Sequence, residues 1–192
     1  MNDMNLITLY DNLYKNEEYN NQSEEINEKK WGLIKDRIRF GKTQTAVDVG
    51  CGRGVFLKKL IDGGIQALGI EISGVCCEKW LAGLPFACED IVWFASKTDD
   101  KYDLALCTDV LEHVEPECID DTIAAIRKLS DRALLCIANY SDPHGDRELH
   151  LIRCGPEWWS GVLSKHYGNV ELFYDDTANS PYYPFYMFEC NQ

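Results

Sequence analysis

Residues 47–54 read VDVGCGRG: a short apolar run with an acid inside it, then Gly50, Gly52 and Gly54 at every second position. Glycine reaches positive φ and lets other groups come close to the backbone, so three of them alternating after a strand-like run exceed the needs of a turn. The segment that follows, VFLKKLIDGG, has helical length. Strand, bare loop and helix in that order open a βαβ unit, and the rest of the chain repeats the theme. Apolar runs of strand length occur at 45–49, 66–70, 84–88, 102–107, 132–138, 169–174 and 184–189. Helix-length segments at 54–63, 73–82, 117–129 and 156–166 lie between them. This alternation predicts an α/β fold with a seven-stranded, mostly parallel, Rossmann-like sheet covered by helices on both faces. Only nine residues, DDTANSPYY, separate the last two strands. That is too few for a crossover helix, so these two pair as a hairpin and the last strand runs antiparallel.

The first 40 residues have a different period. Leu6, Leu9, Tyr10, Leu13 and Tyr14 recur at three- and four-residue spacing, and Ile26, Lys30, Leu33, Ile34 and Ile38 nearly continue the stripe. Residues 1–42 are therefore read as a helical cap and 43–192 as the ligand-binding domain. Tyr10, Tyr14 and Tyr19 fit either a lid over the ligand or an amphipathic helix packed on the domain.

Charge and cysteine usage narrow the partners. The net charge is −13, and it is uneven: residues 1–45 hold eight acids and seven bases, the remainder 24 acids and 12 bases. Nucleic-acid binding rests on clustered Lys and Arg, which the body of the chain lacks, so nucleic acid is disfavoured. The nine cysteines (51, 76, 77, 88, 107, 118, 136, 154 and 190) form no C-x-x-C pair. Their odd number and apolar settings fit reduced thiols in a cytoplasmic protein without a structural metal. No stretch reaches the ~18–20 apolar residues of a membrane span, and the N-terminus lacks the layout of a signal peptide.

In open α/β sheets, ligands bind at the carboxyl ends of the strands. Nicotinamide enzymes use G-x-G-x-x-G there; here the pattern is G-x-G-x-G, with Val55 where the third glycine would stand. Glu71, ending the second strand in GIEIS, can accept hydrogen bonds from both hydroxyls of a ribose. Asp90 follows the third strand in ACEDI, where an adenine amine would lie; a solvated loop acid is its plain alternative. These features, with YDLALCTDVLEHV at the fourth strand, resemble the class I S-adenosylmethionine-dependent methyltransferases over about residues 45–190. The fourth-strand text is most similar to the branch of ubiquinone-biosynthesis O-methyltransferases and related small-molecule enzymes. The resemblance implies S-adenosylmethionine as methyl donor and S-adenosylhomocysteine as product. It places the donor against Asp48, Gly50, Cys51, Gly52, Gly54, Glu71, Ile72, Asp90 and Ile91, with Thr108 and Asp109 near the methionine moiety.

The acceptor side is read from the loop after the fifth strand, NYSDPHGDRELHLIRCGPEWW, which is longer than packing requires. His150 is the first candidate for a general base, then His144, then His113, for which a packed or capping role is the alternative. Tyr14, Asp146, Arg147 and Trp158 are candidate substrate contacts, weighed against ion pairing for Asp146 and Arg147 and core packing for Trp158. The expected reaction is in-line methyl transfer to oxygen, or failing that nitrogen, of a small-molecule or sugar-like acceptor, by a monomer or homodimer without a metal or membrane partner. Methylation of nucleic acid or protein is the runner-up; an N-P-P-Y type signature is absent, IANYSD being the nearest text. A non-catalytic donor-binding module and a nicotinamide oxidoreductase complete the alternatives, the latter disfavoured by Val55 and the reversed last strand.

Overall fold

The computed structural model describes residues 3–16, 19, 24–180 and 182–192, residues 3–5 as backbone only. The rest of the expected cap (1–2, 17–18 and 20–23) and position 181 lie outside the described residues. Two helices come first, α1 (Asp3–Lys15) and α2 (Glu24–Ile38). The alternating part follows as β1 (Thr45–Val49), α3 (Val55–Asp62), β2 (Gln66–Glu71), α4 (Gly74–Trp80), β3 (Phe86–Cys88), α5 (Ile91–Lys97), β4 (Leu104–Thr108), α6 (Ile119–Leu129) and β5 (Arg132–Ala138). A two-residue hairpin, β6 (Pro143–His144) and β7 (Arg147–Glu148), precedes α7 (Pro156–Leu163), β8 (Asn169–Asp175) and β9 (Phe185–Asn191).

Seven strands form one sheet in the order β3-β2-β1-β4-β5-β9-β8. β9 is antiparallel to both neighbours, β5 and β8, and the other pairings are parallel. The expected sheet and its reversed last strand are thus present, the reversed strand lying one place in from the edge. Central strands are buried on both faces and alternate between two apolar layers. Val47, Val49, Leu135 and Ile137 join Ile91, Ile123, Ile126 and Trp159 from α5, α6 and α7. Leu106, Leu134 and Cys136 join Ile34 and Ile38 of α2 with Phe56, Leu57 and Leu60 of α3 on the other side. Cysteines 107 and 136 sit in these layers as small hydrophobes.

α2 is fastened to the sheet by charge as well as by its apolar stripe. Glu189 of β9 is buried, yet accepts from Arg37 Nη1 at 2.9 Å, Arg39 Nη2 at 3.0 Å and Arg132 Nε at 3.0 Å. Burial alone would raise its pKa; the bonds from Arg37 and Arg132 outweigh it and hold the carboxyl below its ordinary value.

Two elements depart from the sequence reading. α5 was not expected: it has only two turns, and Ile91 and Ala95 are its buried residues, too little periodicity to stand out. The hairpin β6–β7 orders part of the long loop, turning at Gly145 with φ 61°. The third strand also starts later than expected, because the Leu84 N–H closes a turn onto Leu81 and Pro85 has no N–H to give.

Candidate active site

The strand order reverses direction between β1 and β4, so the loops after these strands diverge and leave a crevice at their carboxyl ends. The glycine loop forms one wall. Gly50, Gly52 and Gly54 have φ of 65°, 49° and 73°, all left-handed. A Cβ on Gly50 would stand 2.3 Å from Val110 Cγ2 of the opposite wall, so the absent side chain lets the two loops meet. Asp48 lies beneath, 1% exposed, accepting from the Leu57 backbone while its Oδ2 has no partner. Burial pushes its pKa up to about 8. Glu71, also buried, receives the Gly52 and Ser73 N–H groups on its two oxygens at 2.9 Å each. Burial raises its pKa, opposed by these backbone bonds. The Ile72 amide also donates to it, so of a carboxylate's roughly four acceptor sites about one remains for a ribose hydroxyl.

α1 covers this loop. Asp11 Oδ1 accepts from Ser73 Oγ at 2.6 Å and Val75 N at 3.1 Å, fixing the helix to the start of α4. Tyr14 is buried with its hydroxyl 3.1 Å from where a Gly52 Cβ would be, and its ring packs on Trp80 and Tyr19. Farther along the crevice, Tyr10 meets His113 and Tyr19 meets His144 edge-on. The three tyrosines of the cap therefore span both ends of the crevice.

The other wall follows β4. Thr108 ends the strand and is buried. Asp109 has φ 55°, a conformation uncommon for a residue with a side chain. Its carboxylate binds the buried Lys30 ammonium of α2, at 2.7 Å to Oδ1 and 2.5 Å to Oδ2. Burial pulls the Lys30 pKa down, but Asp109 outweighs it and the net shift is upward. A 3₁₀ turn, Leu111–His113, follows. Glu112 is fully buried; Oε1 accepts from Ala138 N at 2.8 Å, and Oε2 has no partner among the described residues. Burial, then the Asp109 charge, raises its pKa to about 8.

Two imidazoles meet beside that carboxylate. His113 and His150 have ring centroids 4.6 Å apart at 76°. His113 Nδ1 is 3.1 Å from the Leu149 carbonyl, and His150 Nδ1 is 2.7 Å from the Tyr140 carbonyl. A carbonyl only accepts, so Nδ1 carries a proton in each ring, and the neutral form of either ring has its lone pair on Nε2. Burial, then His150, lowers the His113 pKa to about 3. Asp142 stands 3.8 Å from His150 Nε2 through Oδ2 and 3.2 Å from His144 Nε2 through Oδ1.

The structure thus gathers His113, His144, His150 and Asp109 on one wall, with Asp48, Gly50, Cys51, Gly52, Gly54 and Glu71 on the other. Asp90 caps α5, Oδ1 accepting from Val92 N at 2.8 Å and Trp93 N at 3.0 Å. Ile91 packs in the core behind it and Ile72 is half-buried. Asp146 and Arg147 lie exposed on the hairpin, and Trp158 is exposed on α7 with its edge against Trp159. Among the described residues, none of these three has a hydrogen bond or ring contact with His113 or His150. The sequence reading assigned no role to Glu112, Asp142, Lys30 or Asp11. Glu112 was visible beside His113, but its inward direction depends on the 3₁₀ turn.

The family and the fold are known from other proteins. The model of the methyltransferase domain family matches residues 21–173. No curated relative matches the chain. Among solved structures it is similar to an S-adenosylmethionine-dependent methyltransferase from Archaeoglobus fulgidus, at 17% identity and TM-score 0.63, with 84% of this chain and 94% of that one covered. It is also similar to magnesium protoporphyrin IX methyltransferase from Synechocystis with bound donor, at 19% identity, TM-score 0.61 and coverage of 86% and 77%. A third is the 1,6-didemethyltoxoflavin-N1-methyltransferase of Burkholderia thailandensis, at 13% identity, TM-score 0.59 and coverage of 84% and 76%. With the left-handed glycine loop at the switch point and a buried acid ending β2, the family match over most of the chain leads to one conclusion: the protein belongs to the methyltransferase domain family and is a class I S-adenosylmethionine-dependent methyltransferase.

Proposed function

We propose that the enzyme methylates an oxygen of a small-molecule or sugar-like acceptor, with Glu71 and the glycine loop holding the donor and His150 facing the acceptor. The observation that carries this reading is the His150 ring: buried, fixed through Nδ1, with a free Nε2 lone pair at the carboxyl edge. S-adenosylmethionine, when bound, supplies a methyl carbon made electrophilic by its sulfonium. The glycine loop presents bare backbone to it, Glu71 a free lone pair for its ribose, and Asp90 a carboxylate on the adenine side. His150 takes the proton of the attacking hydroxyl at Nε2, a role a neutral imidazole fills near pH 7. His113, held neutral by burial, packs against it, and His144 approaches the same acceptor through Asp142. Tyr14, Asp146, Arg147 and Trp158 are the candidate contacts for the acceptor body.

Residues 1–42 serve as the cap in this reading, α1 being the part that closes on the crevice. Location in the cytoplasm agrees with cysteines that form no disulfide among the described residues, and no described helix is long and apolar enough to cross a membrane. Two of the three neighbours named above act on small molecules, magnesium protoporphyrin IX and 1,6-didemethyltoxoflavin. Nitrogen is the less favoured acceptor of the same reading, since a neutral amine attacks through its lone pair and needs no prior deprotonation.

Calorimetric titration with S-adenosylhomocysteine, with NAD as parallel control, tests the donor assignment. Micromolar binding of the former alone is expected; binding of NAD alone would replace this reading with an oxidoreductase. Glu71→Ala is expected to weaken S-adenosylhomocysteine binding by about 1–3 kcal/mol, through a lost hydrogen bond to the ribose and a loosened Gly52 amide. An unchanged affinity in the folded variant would remove Glu71 from the donor site.

A further inference from the structure

We propose that Glu112, His113 and His150 hold a divalent transition-metal ion on the acceptor side of the crevice. The proposal rests on the methyl-transfer reading, because it names what activates the acceptor oxygen there. One carboxylate oxygen of Glu112 and one ring nitrogen each of His113 and His150 lie within 4.8 Å of one another. Ligands at about 2.0–2.2 Å from an ion stand roughly 3 Å apart, so small side-chain rotations close the set. Each group is already oriented as a ligand. Both imidazoles are held through Nδ1 by backbone carbonyls, the arrangement that fixes tautomer and ring direction in metal-binding histidines. Glu112 Oε1 is held by the Ala138 amide, while Oε2 is buried with no partner among the described residues.

An ion accounts for what the protein alone leaves unsatisfied. As an anion, a fully buried carboxylate oxygen without a donor is costly, and the neighbouring imidazole lone pairs do not stabilise it in that form. A cation takes all three at once. Asp109 is not a fourth ligand, since Lys30 occupies both its oxygens. Asp142 is a further carboxylate beside the set, 3.8 Å from His150 Nε2. Two nitrogens and one carboxylate suit Mn²⁺, Fe²⁺, Co²⁺ or Zn²⁺ better than the all-oxygen preference of Mg²⁺ or Ca²⁺. Three protein ligands leave positions open for the acceptor.

In the ion-loaded enzyme His150 Nε2 is a ligand and no longer a base. The acceptor hydroxyl coordinates the ion and loses its proton more readily. That proton passes to Asp142; the new C–O bond forms as the C–S bond breaks, its electron pair remaining on sulfur.

The test uses full-length protein stripped with a chelator and titrated with Mn²⁺, read by loss of the free-ion electron paramagnetic resonance signal. Mn²⁺ favours nitrogen and oxygen over the nine cysteines. One ion per chain is expected, with imidazole nitrogen couplings in the spin-echo spectrum of the wild-type complex. Glu112→Gln and His113→Ala, checked for fold by circular dichroism, should each weaken binding by at least about 100-fold. Absence of stoichiometric binding, or a bound ion without nitrogen couplings, would overturn the site without recourse to any variant. S-adenosylhomocysteine titrated into the stripped protein separates the two readings. Donor binding without Mn²⁺ binding defeats the ion alone, and Mn²⁺ binding without donor binding upholds the ion and defeats the methyl-transfer reading.

Discussion

His150→Ala is expected to lower turnover by about 10²–10⁴-fold while leaving S-adenosylhomocysteine affinity nearly unchanged. The separation follows from position. His150 belongs to the loop after β5, and its contacts are Tyr140, His113 and Asp142, none of them in the glycine loop or at Glu71. The side chain is buried, so the variant leaves a cavity, and a thermal melt must accompany the kinetics. Single-turnover rates with labelled donor, measured on an acceptor found by screening, provide the decisive comparison. Normal turnover in the folded variant would exclude His150 from acceptor activation, whether as base or as ligand. Loss of donor binding in parallel would mean that the residue acts by shaping the crevice.

The second large effect concerns Asp48 and pH. Its ordinary pKa of 3.8 rises to about 8 in the folded chain because burial penalises the charged form. Between those values the unfolded chain binds fewer protons at this site than the folded one, so stability falls as pH rises. The contribution is fully present below the unfolded value and is lost on approach to pH 8, at most at about 1.4 kcal/mol per pH unit. Glu71 is shifted in the same direction, whereas Glu148 is depressed to about 2 and acts only in more acid solution. Asp48→Asn stays neutral throughout. Urea unfolding of ligand-free protein between pH 5 and 8 should show a shallower decline for the variant. Parallel curves would mean that Asp48 is ionised in the folded state and stabilised by something other than the Leu57 amide.

Legibility in the sequence followed the range of the interactions. Strands carry their signal locally: RALLCIA is apolar after its arginine and TAVDV is an apolar run interrupted by Asp48, because both faces are covered, and each became a central strand. The hairpin of β8 and β9 was deducible from a connection too short for anything else. The glycine loop was legible because left-handed backbone needs glycine wherever it occurs. What could not be read depended on distant partners. Lys30 resembles a stripe residue of α2, and only the fold brings it to Asp109, 79 positions away. Glu112 and His113 are adjacent in sequence, but only the fold brings His150, from the loop after β5, beside them. α5 remained hidden because two turns with two buried residues carry almost no period. Asp90, read as a donor contact or a loop acid, also caps that helix through Oδ1.

The placement of β9 has a bearing on how the protein is made. β9 is the last strand in the sequence but not the last in the sheet: it fills the place between β5 and β8. During synthesis on the ribosome, β5 emerges with one edge already paired to β4 and the other open, lined with bonding groups for which no partner yet exists. β8 appears next and cannot lie against β5. Until residues 185–191 emerge, the nascent chain exposes an unpaired strand edge flanked by apolar side chains, the kind of surface on which aggregation starts. A nonsense codon or a proteolytic nick just before β9 would therefore leave a core that cannot close, and quality control should remove such fragments far faster than fragments trimmed at the other end.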